Sequence, residues 1–449
     1  MSKTIAALST ASGGAISVIR VSGDDALEIC DKVFKSVSSK SLCGSKGYTA
    51  HFGYIYNKGI KTDEAVALVF KAPNSYTGED TAELSVHGGR VAESNCLTAL
   101  YEAGAVPAKA GEFTKRAFLN GKLDLTEAES VLGIITATSQ YDMKLQLSAK
   151  GGAISGAVKE IRDLLISSAG DIAAYSDFPE EDIPNINADS IKSKLVSSAD
   201  RIEKLIKTFS AGQVLHRGVR TAIAGKPNAG KSTLMNLLCG TERSIVTDIA
   251  GTTRDIIEQA VMCGDIPLVL YDTAGLHETD DTVERVGIRR AEECIDSAQL
   301  VLAVFDGSED LTDADRALIK MLADKTAIAV VNKSDLESKN NDYSPLRAVT
   351  VSAKTGDGRA ELEKAIAEVT GAAYLDPDSA VLATERQHDC AVSALNSLKE
   401  AISTIEKGFT LDAAGVYIDD AVDHILSLTG ERVSDKVAED VFSRFCIGK

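Results

Sequence analysis

The sequence predicts a combined α/β and α architecture in three parts. These are an N-terminal α+β domain, a helical domain built from two chain segments, and, inserted between those segments, a domain with a doubly wound, mostly parallel sheet. Three observations carry this reading. Between residues 216 and 374, apolar strand-like runs alternate with helical stretches, as in a parallel sheet covered on both faces. On either side, residues 119–215 and 375–449 are helical in period. Residues 1–118 mix short strand-like and helical runs. The two helical segments are expected to pack together, because a domain insertion is tolerated where its termini lie close.

Taken in order, Ile5 to Leu8 and Ala15 to Val21 read as strands and Asp24 to Val33 as a helix. Ala65 to Phe70 and Ala82 to Val86 are further strands, and Val91 to Ala103 is a helix. Two polar clusters, Asn74 to Asp80 and His87-Gly88-Gly89, read as turns by their composition. Thr126 with Glu129 three residues later forms a candidate capping box, and helical periodicity runs from there to about Tyr175. Asp177 to Pro184 interrupts it, and Ile191 to Ala211 resumes it. In the inserted domain, strands are expected at 219–224, 267–271, 300–305, 327–331 and 348–351. Helices at Ala380 to Lys407, Leu411 to Leu428 and Ser434 to Phe445 close the chain.

At 449 residues the chain has room for three domains of about 150 residues each. No apolar run approaches the ~18 residues needed to span a bilayer, and the N-terminus lacks a basic-then-apolar signal pattern. A soluble, cytoplasmic protein is therefore expected. The eight cysteines contain no C-x-x-C pair, which argues against zinc and against a disulfide framework; most are expected to be small buried residues. A net charge of −18 opposes nonspecific nucleic-acid binding, so any RNA would need a local basic patch or a partner to grip it.

The inserted domain carries the chemistry. Gly225 to Ser232 reads G-x-x-x-x-G-K-S, between the strand Val219 to Ala224 and a helix opening at Thr233. Backbone N–H groups there can turn onto phosphates, Lys231 can reach the β- and γ-phosphates, and Ser232 can bind Mg²⁺. Gly251-Thr252-Thr253 stands at the first switch, where a Thr hydroxyl completes the Mg²⁺ shell. Asp272-Thr273-Ala274-Gly275 follows, with Asp272 holding magnesium through water and the Gly275 amide sensing the γ-phosphate. In Asn332-Lys333-Ser334-Asp335 a carboxylate can accept both guanine N1–H and N2–H, a donor pair adenine lacks, and Ser352-Ala353-Lys354 closes over the base edge. Order and spacing together predict a Ras-like P-loop G domain that hydrolyses GTP. Leu276 stands where Ras-type enzymes have a water-positioning Gln, and leucine cannot orient water. Glu284, on the second-switch helix, is a candidate for that task, although a lone Glu on an exposed helix face is more often only solvated.

The chain resembles the MnmE (TrmE) family of tRNA modification GTPases over essentially its whole length. The resemblance rests on Ser75 to Asp80, Gly111 to Gly121, Asp177 to Ile183 and the terminal Phe445-Cys446-Ile447-Gly448-Lys449, together with the G-domain motifs. It implies a homodimer formed through the N-terminal domain. That domain would bind a tetrahydrofolate derivative, 5-formyl- or 5,10-methylene-tetrahydrofolate, at Arg20, Glu79, Lys122 and Lys449. Cys446 would serve tRNA modification.

In the G domain the resemblance implies nucleotide contacts from Asn228, Ala229, Gly230, Lys231, Ser232 and Thr233 and from the loop Thr247-Asp248-Ile249-Ala250-Gly251-Thr252-Thr253. Ser232 and Thr253 would bind Mg²⁺, and Asn228, Thr247, Ile249 and Thr252 would bind K⁺, a cation that stands in for an arginine finger. Glu284 would orient the attacking water. The partner would be the FAD- and NADH-dependent protein MnmG, in a heterotetramer that places an aminomethyl-type group on C5 of the wobble uridine of certain tRNAs.

Two departures are small: Thr10 to Gly14 is a shortened turn, and Lys226 stands where many relatives have arginine. A GTPase of ribosome assembly would share the G domain. It calls for a basic RNA-binding module, which the acidic chain and the Cys446 to Lys449 ending do not favour. A folate-binding scaffold without catalysis is at odds with the full set of GTPase motifs.

Overall fold

The structure is a computed structural model that describes residues 3–177, 188–240, 258–271 and 293–449. Its contacts divide the chain into two compact units, one of residues 1–132 with 426–449 and the other of residues 133–425.

In the first unit the elements run β1 (Ile5–Leu8), β2 (Ile16–Ser22), α1 (Ala26–Val33), β3 (Phe34–Ser36), β4 (Thr49–Asn57), β5 (Ile60–Phe70), β6 (Thr81–His87), α2 (Arg90–Ala103), β7 (Val106–Pro107), α3 (Glu112–Leu119) and α4 (Leu125–Thr136). The sheet order is β3-β4-β5-β6-β2-β1-β7, antiparallel except for the β1–β7 pair. Alternation decides the buried face. Ser17, Ile19 and Val21 of β2 point inward, and α1 meets the sheet with Ala26, Leu27, Ile29, Cys30 and Val33, a helical stripe. The apolar ones among these share one core with Ile55, Ala67, Val69 and Leu84 of the central strands.

Three strands here escape the sequence reading. β3 and β7 are too short to show a period. β4 and the first half of β5 are joined by a two-residue turn, Lys58-Gly59, with φ of 51° and 80°. Two positive φ values make the hairpin turn that matches strand twist. β5 therefore starts at Ile60 and not at Ala65, because the polar run Lys61 to Glu64 pairs with Tyr54 to Tyr56.

The capping box at α4 also lies elsewhere than expected. Asp124 Oδ1 accepts from the Glu127 amide at 2.8 Å, and Glu127 Oε2 accepts from the Asp124 amide at 2.9 Å. Thr126 instead donates its hydroxyl to Asp124, so the cap sits two residues before the expected one. The C-terminal helix Asp435–Ser443 belongs to this unit; Ala438, Val441, Phe442 and Phe445 form a core with Leu125, Ala128 and Val131.

The second unit contains α5 (Gln140–Lys150), α6 (Ala153–Asp177), α7 (Ala188–Lys207), α8 (Phe209–Arg217), β8 (Val219–Ala224), α9 (Lys231–Cys239), β9 (Glu258–Cys263), β10 (Ile266–Tyr271), β11 (Leu300–Asp306), α10 (Asp313–Met321), β12 (Ala327–Asn332), β13 (Arg347–Thr350), α11 (Arg359–Val369), α12 (Glu385–Glu406) and α13 (Leu411–Thr429). The continuous helix expected up to Tyr175 is three helices. Ser139 caps α5 by accepting from the Asp142 amide, and Gly151-Gly152 separates α5 from α6. α7, before the G domain, packs on α12, after it, so the helical domain is built from two segments as the sequence reading required.

The sheet order is β13-β12-β11-β8-β10-β9. Five strands are parallel; the edge strand β9 pairs antiparallel with β10 across the tight turn Gly264-Asp265. All seven residues of β11 are buried, as expected for a strand covered on both faces. The cysteines depart from expectation: only Cys30, Cys96 and Cys263 are buried, while Cys43 and Cys446 are exposed. Burial pushes the Cys96 and Cys263 thiols up to about 12, which leaves them inert.

Candidate functional site

The phosphate loop leaves the end of β8 and enters α9 at Lys231. Gly230 has φ of 99°, and a Cβ there would lie 2.1 Å from Asn332 Nδ2, so only glycine fits. Asn228 also adopts a left-handed φ, 63°. The loop ends at the N-terminus of α9, and a helix N-terminus suits a phosphate. Lys231 donates from Nζ to the carbonyls of Gly225 at 2.8 Å and Lys226 at 3.0 Å, which lays its ammonium across the loop. Lys226 is held by Glu309 at 3.0 Å and Asp315 at 3.6 Å, so it serves the loop as an ion-pair anchor.

The segment Asn332 to Asp335 lines the same cleft. Asn332 is 3% exposed and joins both halves: its Nδ2 donates to the Ala229 carbonyl and its Oδ1 accepts from the Ala353 amide, each at 2.9 Å. Asp335 accepts from the Ser352 hydroxyl at 2.7 Å. That bond, above all, holds the Asp335 carboxyl below the usual carboxylate range, so it stays an acceptor. Lys333, at φ of 67°, pairs with Asp306 at the end of β11. Burial raises the Asp306 carboxyl, but bonds from Lys333 and Ser308 outweigh it and the net shift is downward.

Asn228, Gly230, Lys231, Ser232, Thr233, Asn332, Lys333, Asp335 and Lys354 line one cavity of about 600 Å³, which is large enough for a nucleotide. Leu336 also lines it and was not anticipated; nor was the Asp306–Lys333 pair, whose one sequence signal is an Asp-Gly closing a wholly apolar strand. Thr247, Asp248, Ile249, Ala250, Gly251, Thr252, Thr253, Asp272, Thr273, Ala274, Gly275, Leu276 and Glu284 lie outside the described residues.

In the first unit the four expected folate positions gather around the turn 74–80 and α3. Arg20 lies over the rings of Tyr76 and Phe113, at 5.2 and 5.5 Å from their centroids. Glu79 accepts from Ser22 Oγ at 2.8 Å, two residues along β2 from Arg20. Lys122 approaches the same turn, donating to the Pro73 carbonyl at 3.0 Å. Lys449 joins through its own carbonyl, which accepts from the Phe113 amide at 3.2 Å.

The charges are already matched within the protein, which the sequence did not reveal. Arg20 pairs with Glu83 at 2.8 Å, and Glu79 with Arg116 at 3.0 Å. The tail is pinned by its backbone. Cys446 and Gly448 accept at their carbonyls from the Gly111 amide and the Ser9 hydroxyl, at 3.4 and 3.1 Å. A Cβ on Gly448, at φ of 96°, would lie 2.1 Å from the Leu8 carbonyl. The Cys446 side chain is left exposed. The burial expected of most of the cysteines does not hold at this position.

A phosphate loop between strand and helix, with the Asp335 carboxylate lining the same cleft, defines a P-loop GTPase, here lying in the sequence between two helical segments that follow an α+β domain. Family models match nearly the whole chain: "GTP-binding protein TrmE N-terminus" over residues 4–122 and "MnmE helical domain" over residues 125–446. The chain belongs to the MnmE family of tRNA modification GTPases. It is similar to tRNA modification GTPase MnmE of Acetivibrio thermocellus, 37% identical with 99% of each chain covered. The namesake of Clostridioides difficile is 36% identical with 99% of each covered, and that of Thermoanaerobacter pseudethanolicus 38% with 99% of each covered.

Proposed function

We propose that this protein is a K⁺-activated GTPase of tRNA modification. With the FAD- and NADH-dependent protein MnmG it installs an aminomethyl or carboxymethylaminomethyl group on C5 of the wobble uridine of certain tRNAs, using a tetrahydrofolate one-carbon donor. The observation that supports it most is the single cleft of about 600 Å³ that unites the phosphate loop with Asp335. In this reading the protein works in the cytoplasm as a homodimer and forms a heterotetramer with MnmG.

Within the cleft, the α9 N-terminus and Lys231 hold the β- and γ-phosphates, and Asp335 selects guanine by accepting two N–H bonds. Ser232 and Asn228 line the cleft with oxygen atoms, the hard ligands that Mg²⁺ and K⁺ require. When bound, these cations neutralise the charge that develops between the phosphates. Ser232 and Thr253 would hold Mg²⁺, and Asn228, Thr247, Ile249 and Thr252 would hold K⁺. Glu284 orients the water that Leu276 cannot. In the N-terminal domain Glu79 would meet the pterin donors, and Arg20, Lys122 and Lys449 would meet the glutamate carboxylates of the folate. Arg20 sits over the rings of Tyr76 and Phe113, which fix the position of its guanidinium.

Two measurements test the reading. GTP hydrolysis should be much faster in KCl than in NaCl, and equal rates would remove Asn228 as a K⁺ ligand. Nucleoside mass spectrometry of bulk tRNA, from cells with and without the gene, should show loss of C5-aminomethyl wobble uridines. Unchanged uridines would leave the GTPase and remove the folate and Cys446 assignments.

A further inference from the structure

An acidic chain that acts on RNA must find its positive charge somewhere, and one segment is set apart in this respect. Between Asp31 and Asp63 the sequence carries Lys32, Lys35, Lys40, Lys46, Lys58 and Lys61 with no aspartate or glutamate, in a protein of net charge −18. The fold brings three of these lysines together. Lys32 stands in the last turn of α1, Lys35 on β3 and Lys58 in the turn between β4 and β5, and all three line one cleft of about 490 Å³ together with Tyr56, Asn57 and Glu102.

The lysines' present partners are weak competitors. Lys32 pairs with Glu28 at 3.2 Å and Lys58 with Glu102 at 2.9 Å, both exposed, and Lys35 donates to the Asp31 carbonyl at 2.6 Å on the surface. Exposed pairs of this kind contribute little and exchange readily for a better anion. Lys61, just beyond the turn, sits 3.6 Å from the Tyr54 ring centroid and also pairs with the exposed Glu64.

We propose that this cleft grips the phosphodiester backbone of the RNA substrate, so that the N-terminal domain carries the chain's own contact with tRNA. The inference rests on the tRNA reading above. Charge complementarity favours an RNA strand: lysines from three elements line a concave cleft with a tyrosine, which fits a narrow anionic chain better than a flat bilayer.

The test compares the full-length protein with Lys32→Gln/Lys35→Gln/Lys58→Gln. The control is Lys192→Gln/Lys207→Gln/Lys399→Gln, the same charge change on the helical domain. The probe is an unmodified tRNA transcript, followed by anisotropy against KCl. Three lost phosphate contacts should flatten the slope of log K against log[KCl] by about 2–3. The variant's deficit should therefore shrink by about 20- to 40-fold between roughly 50 and 200 mM. The control should bind like wild type, and GTP hydrolysis should be unchanged in both.

An unchanged slope, an equal loss in the control, or no tRNA binding by the wild type would overturn the proposal. So would loss of binding to phosphatidylserine vesicles with tRNA binding retained, which would point to a membrane. Nucleoside analysis of cellular tRNA decides the modification reading separately. If modification depends on the gene while the slope is unchanged, the cleft alone is refuted.

Discussion

Asn332→Ala should damage nucleotide binding severely, because the side chain ties together two segments of the cleft. The side chain is buried and each end of its amide is bonded to protein: Nδ2 to the carbonyl of Ala229 in the phosphate loop, Oδ1 to the amide of Ala353 after β13. Ala229 is 0% and Ala353 7% exposed, so alanine at 332 leaves a buried acceptor and a buried donor without partners. Each orphan costs about 1–3 kcal/mol, and with water recovering part of that, a net penalty of about 2–4 kcal/mol follows.

The loops can relieve the penalty by moving apart, so it should fall on the nucleotide-ready arrangement more than on the global fold. At about 1.4 kcal/mol per tenfold, GDP affinity should drop by roughly 30- to 1000-fold. Ser352→Ala is the contrast. It removes a bond to a carboxylate that water can reach and a long 3.3 Å bond from the Thr355 amide, together worth about 1 kcal/mol or less than tenfold. Fluorescent GDP titration measures both. A change of less than about threefold for Asn332→Ala, or an equal loss for Ser352→Ala, would refute the idea that Asn332 holds the two halves of the cleft together.

Glu284→Ala should leave GTP binding intact and slow hydrolysis sharply; stopped-flow binding with single-turnover hydrolysis decides it, and equal loss of both would count against an orienting role. Cys446→Ser should spare GTP hydrolysis and abolish modification in a system reconstituted with MnmG, and retained modification would end that assignment. His87 donates to Asp63 across 2.6 Å, and that bond foremost raises its pKa above the ordinary 6.5. A raised folded pKa means the pairing stabilises fully below 6.5 and is lost as pH rises through the folded value. Imidazole NMR titration should therefore find a midpoint above 6.5 that returns toward it in Asp63→Asn.

The parts of this protein that sequence made legible are those whose signal is local. The parallel strands β8, β10, β11 and β12 are apolar runs, and the phosphate loop is a dense glycine pattern, so both were placed almost to the residue. β9 was hidden because its strength comes from pairing with β10 across Gly264-Asp265 rather than from a period of its own. The same holds for Lys61 to Glu64, polar residues that are strand only because Tyr54 to Tyr56 lie opposite. At α4 the expected box and the real one both fit Ser, Thr or Asp followed by Glu, and the chain chose Asp124 with Glu127. In the site, motifs named Asn332 and Asp335, but the partner of Asn332 lies 103 residues earlier, and no motif could name that bond. Glu83 and Arg116, which match the charges of Arg20 and Glu79, were equally out of reach, since strand pairing and the turn of α3 decide them.

The terminal segment shows why thiol chemistry and site geometry must be tested apart. Gly111 and Phe113, at the start of α3, donate their amides to the carbonyls of Cys446 and Lys449, and Gly448 closes against the Leu8 carbonyl where no side chain fits. The same helix supplies the Phe113 ring beneath Arg20 and the Arg116 guanidinium that fixes Glu79. Removing the last four residues would strip acceptors from a helix start whose Phe113 is fully buried, and so disturb Arg20 and Glu79 whether or not a thiol matters. Loss of modification after truncation therefore says nothing about sulfur. The serine substitution keeps every one of those backbone bonds and removes only the thiol, and it is the comparison that can assign chemistry to Cys446.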